Sequence, residues 1–242
     1  MTPDIHELAP TGTLRGGVVV APSPSVFFAV ADAGGSPCGV TVDLIRAFAQ
    51  DVRLPAALQA FPNSGELTDA VASGQCDVAF MPRDETRERM VDFGPAYFLI
   101  ESTFLVPAGS RIRSLGEANF PGVRAVVIAS TTTGRSAARF LTRGTTQEVR
   151  GVDRMTAMAK AGDGDLFALS RDAFATMLPE VPGARVLDGG FQHTGICCAV
   201  PKGRPCALAM LSDFVERAKA SGLVRAALDR AGFPDSPVAP AA

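Results

Sequence analysis

The chain contains 242 residues, a length that corresponds to one large domain or two small ones. Hydrophobic residues make up 47% and charged residues 20%, a composition that is typical of a globular protein and argues against disorder. The net charge of −2 argues against electrostatic attraction to nucleic acid or to an anionic membrane.

Short apolar strands alternate with amphipathic helices along the chain, which predicts an α/β fold with largely parallel sheets. Strands are predicted at residues 14–21, 58–61, 77–81, 97–107, 123–129, 165–169, 185–187 and 195–201. Helices are predicted at residues 42–52, 64–73 with Ser64 as N-cap, 135–141, 208–220 and 223–230. The tail from Phe233 is rich in proline and alanine and is expected to fray.

No run of about 20 apolar residues lacks both charge and proline, so no transmembrane helix is predicted. The N-terminal stretch MTPDIHELAPTGTLR is polar and has no apolar core of the kind found in signal peptides. Two interpretations stay open at this point: the mature form of an exported protein, or a protein of the cytoplasm.

The cysteines and histidines bear on metal and redox chemistry. Five cysteines cannot all pair within one chain, none has CxxC spacing, and only two histidines are present, so we expect no zinc site. Cys197 and Cys198 are neighbours in an apolar run, where successive side chains of a strand point to opposite faces. We therefore expect buried thiols there rather than a vicinal disulfide.

Residues 74–98, GQCDVAFMPRDETRERMVDFGPAYF, carry a resemblance to a known family. They resemble the ligand-arginine segment of family 3 of the type II periplasmic binding proteins, the amino-acid-type solute-binding proteins of ABC transporters. Shorter stretches agree with that family in order and spacing, namely GTLR at 12–15, GVTVDL at 39–44 and VPKG at 200–203. The resemblance covers residues 11–233, so the chain is identified as a member of this family.

The resemblance implies two α/β lobes, each a mostly parallel sheet flanked by helices, joined by two crossover strands. The lobes of such proteins close like a hinge over a ligand held between them. The implied boundaries are 1–98 plus 196–242 for lobe 1, 103–191 for lobe 2, and 99–102 and 192–195 for the crossovers. The long extended run at 97–107 fits the first crossover.

Counting back from Phe93 without a gap places the family's ligand arginine on Arg87, with Arg83 and Arg89 as the other candidates. A planar guanidinium offers two parallel N–H donors to one carboxylate, whereas a solvated arginine is the alternative. The sequence departs from the family just before this arginine. Its usual small and hydroxyl residues are replaced by Phe80, Met81, Pro82 and Asp84.

A second candidate element is the hydroxyl-rich run that precedes the helix at 135–141. It consists of Ser130, Thr131, Thr132 and Thr133. Unpaired N–H groups and a partial positive charge at a helix N-terminus suit a carboxylate, and the resemblance implies that use. An ordinary N-cap is the alternative, and Arg135 is interpreted as facing solvent.

The family's partner for an α-ammonium group is missing. Counted from Asp165, its position is Ser170, and Asp172 is the nearest substitute, with Arg171 beside it. This departure predicts a carboxylate ligand that need not carry an α-amino group, and a hydroxy, keto or aromatic acid would suit the phenylalanines and the serine. An amino acid bound through Asp172 or Glu101 is the alternative.

The remaining ligand-binding candidates lie near the expected cleft. They are Ser23, Phe27 and Phe28 after the first strand, Asn63 before a helix, Phe80 and Met81, and Glu101 and His193 in the crossovers. Each has a structural alternative: core packing for the apolar side chains, capping for Asn63, and a structural role for Glu101 and His193.

We therefore expect a monomeric solute-binding protein of an ABC importer, periplasmic by resemblance, with permease subunits as partners and no cofactor, metal or catalysis. One alternative is a ligand sensor without a transporter. Another is an enzyme like cyclohexadienyl dehydratase, which uses the same fold. It would need a general acid, for which Glu101 and Asp172 are candidates.

Overall fold

The computed structural model describes residues 4–21, 25–129 and 131–242. The chain folds into two compact units: unit 1 comprises Met1–Leu99 and Gly195–Ala242, and unit 2 comprises Ile100–Thr194. Within the described ranges, no helix combines the length and apolar character that crossing a bilayer requires.

The strands are β1 (Leu14–Val19), β2 (Val30–Ala31), β3 (Pro37–Cys38), β4 (Ala56–Phe61), β5 (Val78–Pro82), β6 (Val91–Val106), β7 (Arg124–Ile128), β8 (Thr145–Val149), β9 (Leu166–Ser170), β10 (Arg185–Val186) and β11 (Gln192–Pro201). The helices are α1 (Ile5–Leu8), α2 (Val40–Asp51), α3 (Ser64–Ala72), α4 (Glu85–Glu88), α5 (Leu115–Ala118), α6 (Thr132–Phe140), α7 (Val152–Ala161), α8 (Phe174–Met177), α9 (Pro205–Ala220) and α10 (Leu223–Arg230). A 3-10 turn spans Leu178–Glu180. Strand β6 leads from unit 1 into unit 2, and β11 returns to unit 1.

The sheet of unit 1 is built on β1, which pairs in parallel with β4 on one side and β5 on the other. Consecutive glycines in β1 let helices approach both faces. A Cβ on Gly16 would lie 2.5 Å from Ile45 of α2, and one on Gly17 would lie 2.4 Å from Leu67 of α3. The GG pair thus sets the three-layer packing of unit 1, because adjacent residues of a strand face opposite sides.

A buried carboxylate joins the starts of β1, β5 and α9. Asp77 is fully buried and accepts hydrogen bonds from the Arg15 side chain through Nε at 2.9 Å and Nη2 at 2.6 Å. Its carboxylate also accepts from the Arg15 backbone N–H at 3.0 Å and from Arg204 Nη1 at 3.0 Å. The hydrogen bond to Asp77 raises the pKa of Arg15. One anion therefore holds two cations at this edge of the sheet.

In unit 2, β9 pairs antiparallel with β6 and parallel with β7, and β7 pairs in parallel with β8. Strand β9 alternates between two apolar clusters. Leu166 and Ala168 pack with Phe104 on one face, and Phe167 and Leu169 pack on the other. A strand buried on both faces is typical of a sheet covered by helices on both sides.

The predicted elements lie near their expected residues, with two differences: the N-cap of one helix and one helix that was not predicted. The N-cap of α3 is Asn63 rather than Ser64, since the Asn63 side chain accepts from the Glu66 N–H at 2.9 Å. Helix α7 was not predicted, although Gly151 precedes it and Gly162 ends it in the left-handed conformation.

The expectation that the tail frays is wrong. Val238 bridges to Phe98 in an antiparallel arrangement, and the Ala239 N–H donates to the Tyr97 carbonyl at 3.0 Å. Lys219 Nζ also donates to the Pro240 carbonyl at 2.7 Å. Proline favours extended backbone, so this segment can lie along β6 at little conformational cost.

Candidate functional site

Arg87 lies in the short helix α4, directly after β5 in unit 1. Asp84 caps this helix: its Oδ1 accepts hydrogen bonds from the backbone N–H groups of Thr86 and Arg87, each at 3.0 Å. A polar N-cap fixes the first turn of a helix, even one this short. The cap therefore sets the direction in which the Arg87 side chain leaves the backbone.

The Arg87 side chain is only 17% exposed, and its guanidinium is held by groups of its own unit. It donates to Ser64 Oγ at 2.8 Å, Thr68 Oγ1 at 3.2 Å, the Pro82 carbonyl at 3.3 Å and Asp84 Oδ2 at 2.5 Å. Four of the five N–H donors of an arginine are thus engaged within the described residues. A bidentate grip on an external carboxylate would have to displace at least one of these contacts.

The hydroxyl-rich run of unit 2 begins α6. Thr131 is the N-cap, with its Oγ1 accepting from the Gly134 N–H at 3.0 Å. Thr132 Oγ1 accepts from Arg135 Nη2 at 3.2 Å, and the Arg135 side chain is exposed. The capping alternative is therefore realised by Thr131. Ser130 lies outside the described residues.

Thr133 points toward β6 and meets a residue that the sequence did not single out. Its hydroxyl oxygen lies 3.1 Å from that of Ser102, which is 1% exposed. Ser102 in turn lies opposite Ser170 in the antiparallel register of β6 and β9. Side chains of directly opposed residues share a face of the sheet, so Ser102, Thr133 and Ser170 form a hydroxyl cluster.

The model of the bacterial extracellular solute-binding proteins, family 3, matches residues 18–232. The chain belongs to this family. The resemblance inferred from residues 74–98 is thereby confirmed. No curated protein sequence matches the chain.

Solved structures agree with the type II binding-protein fold of this family 3 protein. An ancestral amino-acid-binding protein, AncCDT-1, described as a precursor of cyclohexadienyl dehydratase, is 22% identical with a TM-score of 0.70, covering 93% of this chain and 97% of its own. A binding component of an ABC transporter from Wolinella succinogenes, in complex with lysine, is 21% identical with a TM-score of 0.73, covering 91% and 95%. An ABC transporter substrate-binding protein from Streptococcus pneumoniae, bound to L-arginine, is 16% identical with a TM-score of 0.69, covering 93% and 96%.

Two of the predicted ligand-binding residues lie in the core of this family 3 protein. Phe80 is 1% exposed and meets the ring of Tyr97 edge-on at 5.4 Å, and Met81 is fully buried, with its sulfur accepting from Thr68 Oγ1 at 3.4 Å. Both belong to β5, which is flanked by β1 and β11. The structure thus shows core packing for these side chains and leaves no surface of either for a ligand.

The loop after β1 exposes one aromatic ring. Phe27 is 5% exposed, whereas Phe28 is 37% exposed, and the two ring centroids are 5.0 Å apart. Ser25 Oγ accepts from the backbone N–H groups of both phenylalanines, at 3.1 and 2.8 Å. Of these two rings, only that of Phe28 has substantial exposed surface. Ser23 lies outside the described residues, and Asn63 is exposed and serves as the N-cap described above.

Glu101 and His193, the candidates from the crossovers, lie together in unit 2. The Glu101 carboxylate accepts from Arg171 Nε, and His193 Nε2 lies 3.5 Å from the other oxygen of Glu101. Arg171 Nη2 also donates to the carbonyls of Leu187 and Gly189, each at 3.0 Å. This cluster supports the structural interpretation of both candidates, because the charge of Glu101 is already matched within the unit.

Asp172 follows in the turn between β9 and α8 and is partly buried. Its backbone carbonyl accepts from the Ala175 N–H at 3.1 Å. Among the described residues its carboxylate takes part in no ion pair. Asp172 is therefore a carboxylate near Ser170 whose charge no cation matches among the described residues.

Two thiols lie on β11 beside the strand that leads to Arg87. Cys197 is paired in register with Met81 and Cys198 with Phe80, and both thiols are free, as expected. Burial raises the pKa of Cys197 to about 11 and that of Cys198 to about 12. Both are therefore protonated at neutral pH and poor nucleophiles.

We predict that Gly134→Ala disturbs the hydroxyl cluster. A Cβ at this position would lie 2.7 Å from the carbonyl oxygen of Ile128, a backbone atom, so α6 itself would have to move away from β7. Overpacking of this kind costs about 1–3 kcal/mol of unfolding free energy. Urea denaturation measures the loss.

Gly116→Ala, in α5, is the matched control. A Cβ there has only Ser114 Oγ within contact range, at 3.8 Å. The same chemical change should leave the unfolding free energy unchanged or raise it slightly. Equal effects of the two substitutions would contradict the close packing of α6 on β7.

Proposed function

We propose that this family 3 protein is the binding component of an ABC importer and captures a small organic ligand through a carboxylate. Family membership supports the binding role. The observation that supports a carboxylate ligand is Arg87, whose side chain is mostly buried and whose guanidinium is oriented by hydroxyl groups of α3. A guanidinium held in a fixed direction can present two parallel N–H donors to a carboxylate.

In this proposal the two compact units correspond to the two lobes of the family, and the hydroxyl cluster is the second contact surface. Ser102, Thr133 and Ser170 supply neutral hydroxyl groups, each able to donate or accept a hydrogen bond. By the family description, the protein acts outside the cytoplasm with permease subunits as partners.

The ligand class follows from the charges in unit 2. Ser170 is a neutral residue where an ammonium partner is expected, and the charge of Glu101 is matched by Arg171. An ammonium group buried against hydroxyls alone would keep an unpaired charge, at a cost of several kcal/mol. We therefore propose a hydroxy or keto acid, with Phe28 as cover for an apolar side group.

Lysine and arginine, the ligands of two of the similar structures, are the alternative. Bound here, an amino acid would need a carboxylate for its ammonium group, and Asp172 is the candidate because it lacks an ion-pair partner in the described ranges. The sensor alternative would differ from the proposal only in its partner. For the enzyme alternative, Glu101 is held by Arg171, and Asp172 remains as a general-acid candidate to which no observation assigns catalysis.

A thermal-shift screen with matched acids tests the proposal. The panel compares each L-amino acid with the hydroxy and keto acids of the same side chain, because these differ only at the α-substituent. A ligand at 100 times its Kd adds about 2.7 kcal/mol to the unfolding free energy, which raises Tm by several degrees. We expect shifts with hydroxy or keto acids.

Asp172→Asn is the discriminating variant. Under the proposed ligand class it should leave the shifts unchanged. Shifts given only by amino acids and lost in Asp172→Asn would replace the proposed class by the alternative. Shifts given by no carboxylic acid at all would overturn the proposed function.

A further inference from the structure

The carboxylate closest to Arg87 belongs to the protein itself. Asp84 Oδ2 lies 2.5 Å from Arg87 Nη1, and the two side chains are only 16% and 17% exposed. A mostly buried pair is screened by water far less than a surface pair. The positive charge of Arg87 is therefore already balanced inside unit 1.

The two oxygens of Asp84 have different tasks. Oδ1 accepts the N–H groups that begin α4, whereas Oδ2 meets the guanidinium. Capping needs only an oxygen acceptor, and asparagine provides one as well as aspartate does. The contact with Arg87 is the part that needs the negative charge, so the two tasks can be separated by substitution.

A neighbouring pair in the same turn provides a comparison. Arg83 Nε lies 2.5 Å from Glu88 Oε1, but these side chains are 53% and 39% exposed. Exposed pairs contribute little, because solvent competes with them. Of these two ion pairs, only that of Asp84 with Arg87 is buried enough to limit the access of a ligand carboxylate to the guanidinium.

We propose that Asp84 is an internal competitor for the ligand and sets the affinity of the Arg87 site. This inference rests on the proposed function of Arg87. A ligand carboxylate reaches Arg87 by taking the place of Asp84 Oδ2 on the guanidinium. Binding must break the ion pair between Asp84 and Arg87, which makes the free energy of ligand binding less favourable. Simple carboxylates therefore bind weakly, and only ligands with further contacts bind well.

Asp84→Asn is the test, with acetate as the probe. Asparagine keeps the cap and removes the competing charge, so acetate should bind the variant about tenfold more tightly than the unmodified protein. The Nε–Hε resonance of Arg87 reports on the site in an NMR titration, and its assignment comes from its loss in Arg87→Lys.

Glu88→Gln is the matched control, because it removes the partner of Arg83 in the same turn and leaves Asp84 in place. It should not change acetate binding. Asp84→Ser, which also supplies a good N-cap, replaces Asp84→Asn if that variant does not fold. An acetate affinity that is equal in the unmodified protein, Asp84→Asn and Glu88→Gln would overturn the inference, as would no response of the Arg87 resonance in any of them.

The binding of those acids that shift Tm, measured in the Arg87→Ala and Asp84→Asn variants, distinguishes a failure of this inference from a failure of the proposed function. If Arg87→Ala does not affect their binding, the proposed role of Arg87 fails whatever Asp84→Asn does. If Arg87→Ala abolishes binding and Asp84→Asn leaves it unchanged, only the competitor role fails. If Asp84→Asn removes binding of amino acids but not of hydroxy acids, Asp84 contacts the ligand's ammonium group, and the competitor role is likewise overturned.

Discussion

Asp77→Asn is expected to lower the free energy of unfolding by about 3–5 kcal/mol, the cost of breaking a buried ion pair by removing one partner. Asp77 is fully buried and serves both Arg15 and Arg204, so the substitution removes the anion that two guanidinium groups share. The new amide group would also point N–H donors toward N–H donors. The substitution would therefore weaken the attachment of the start of β5 to both β1 and α9.

Urea denaturation monitored by circular dichroism measures this loss. Asp163→Asn is the matched control, because Asp163 pairs with Arg124 at 2.6 Å but the side chains are 48% and 43% exposed. Exposed pairs contribute about 0–1 kcal/mol. A loss in Asp77→Asn no larger than that in Asp163→Asn would show that burial does not strengthen the Asp77 network.

The parts of the fold that follow from the sequence are those with a strong apolar pattern. Strands β5 and β9 are buried on both faces and read as continuous apolar runs, which predicts them directly. Strand β8, with the sequence TTQEV, was not predicted because its side chains are mostly exposed and polar. Its place is set by pairing with β7, which a local pattern does not contain.

The residues of the candidate site likewise include some that the sequence predicts and some that only the structure reveals. The register counted from Phe93 selects Arg87 because the arginine and that phenylalanine belong to one continuous segment. Ser102 was missed, since its contact with Thr133 joins residues 31 positions apart and depends on how α6 packs against β6. The sequence marked Asp84 as a departure from the family, but only the side-chain geometry shows that its carboxylate meets Arg87.

The tail shows why composition alone misled. Proline and alanine predict weak intrinsic structure, and nothing in residues 233–242 indicates a partner. The edge of β6 at Tyr97 and Phe98 offers backbone groups that an extended segment can pair with. Tertiary hydrogen bonds of this kind override local propensity, and they become visible only once the fold is known.

Arg87→Ala is expected to abolish measurable binding of the carboxylate ligand, a loss of about 2–5 kcal/mol, because a desolvated carboxylate would lose its charged partner. Arg87→Lys should recover only part of the affinity, since lysine keeps the charge but not the planar pair of donors. Arg83→Ala is the control in the same turn and should leave affinity unchanged, because Arg83 is 53% exposed and pairs with Glu88.

Isothermal titration calorimetry measures the affinities, and thermal unfolding checks each fold. If Arg87→Ala only lowers Tm while affinity persists, Arg87 merely ties α4 to α3; if Arg83→Ala loses binding instead, the register counted from Phe93 is wrong.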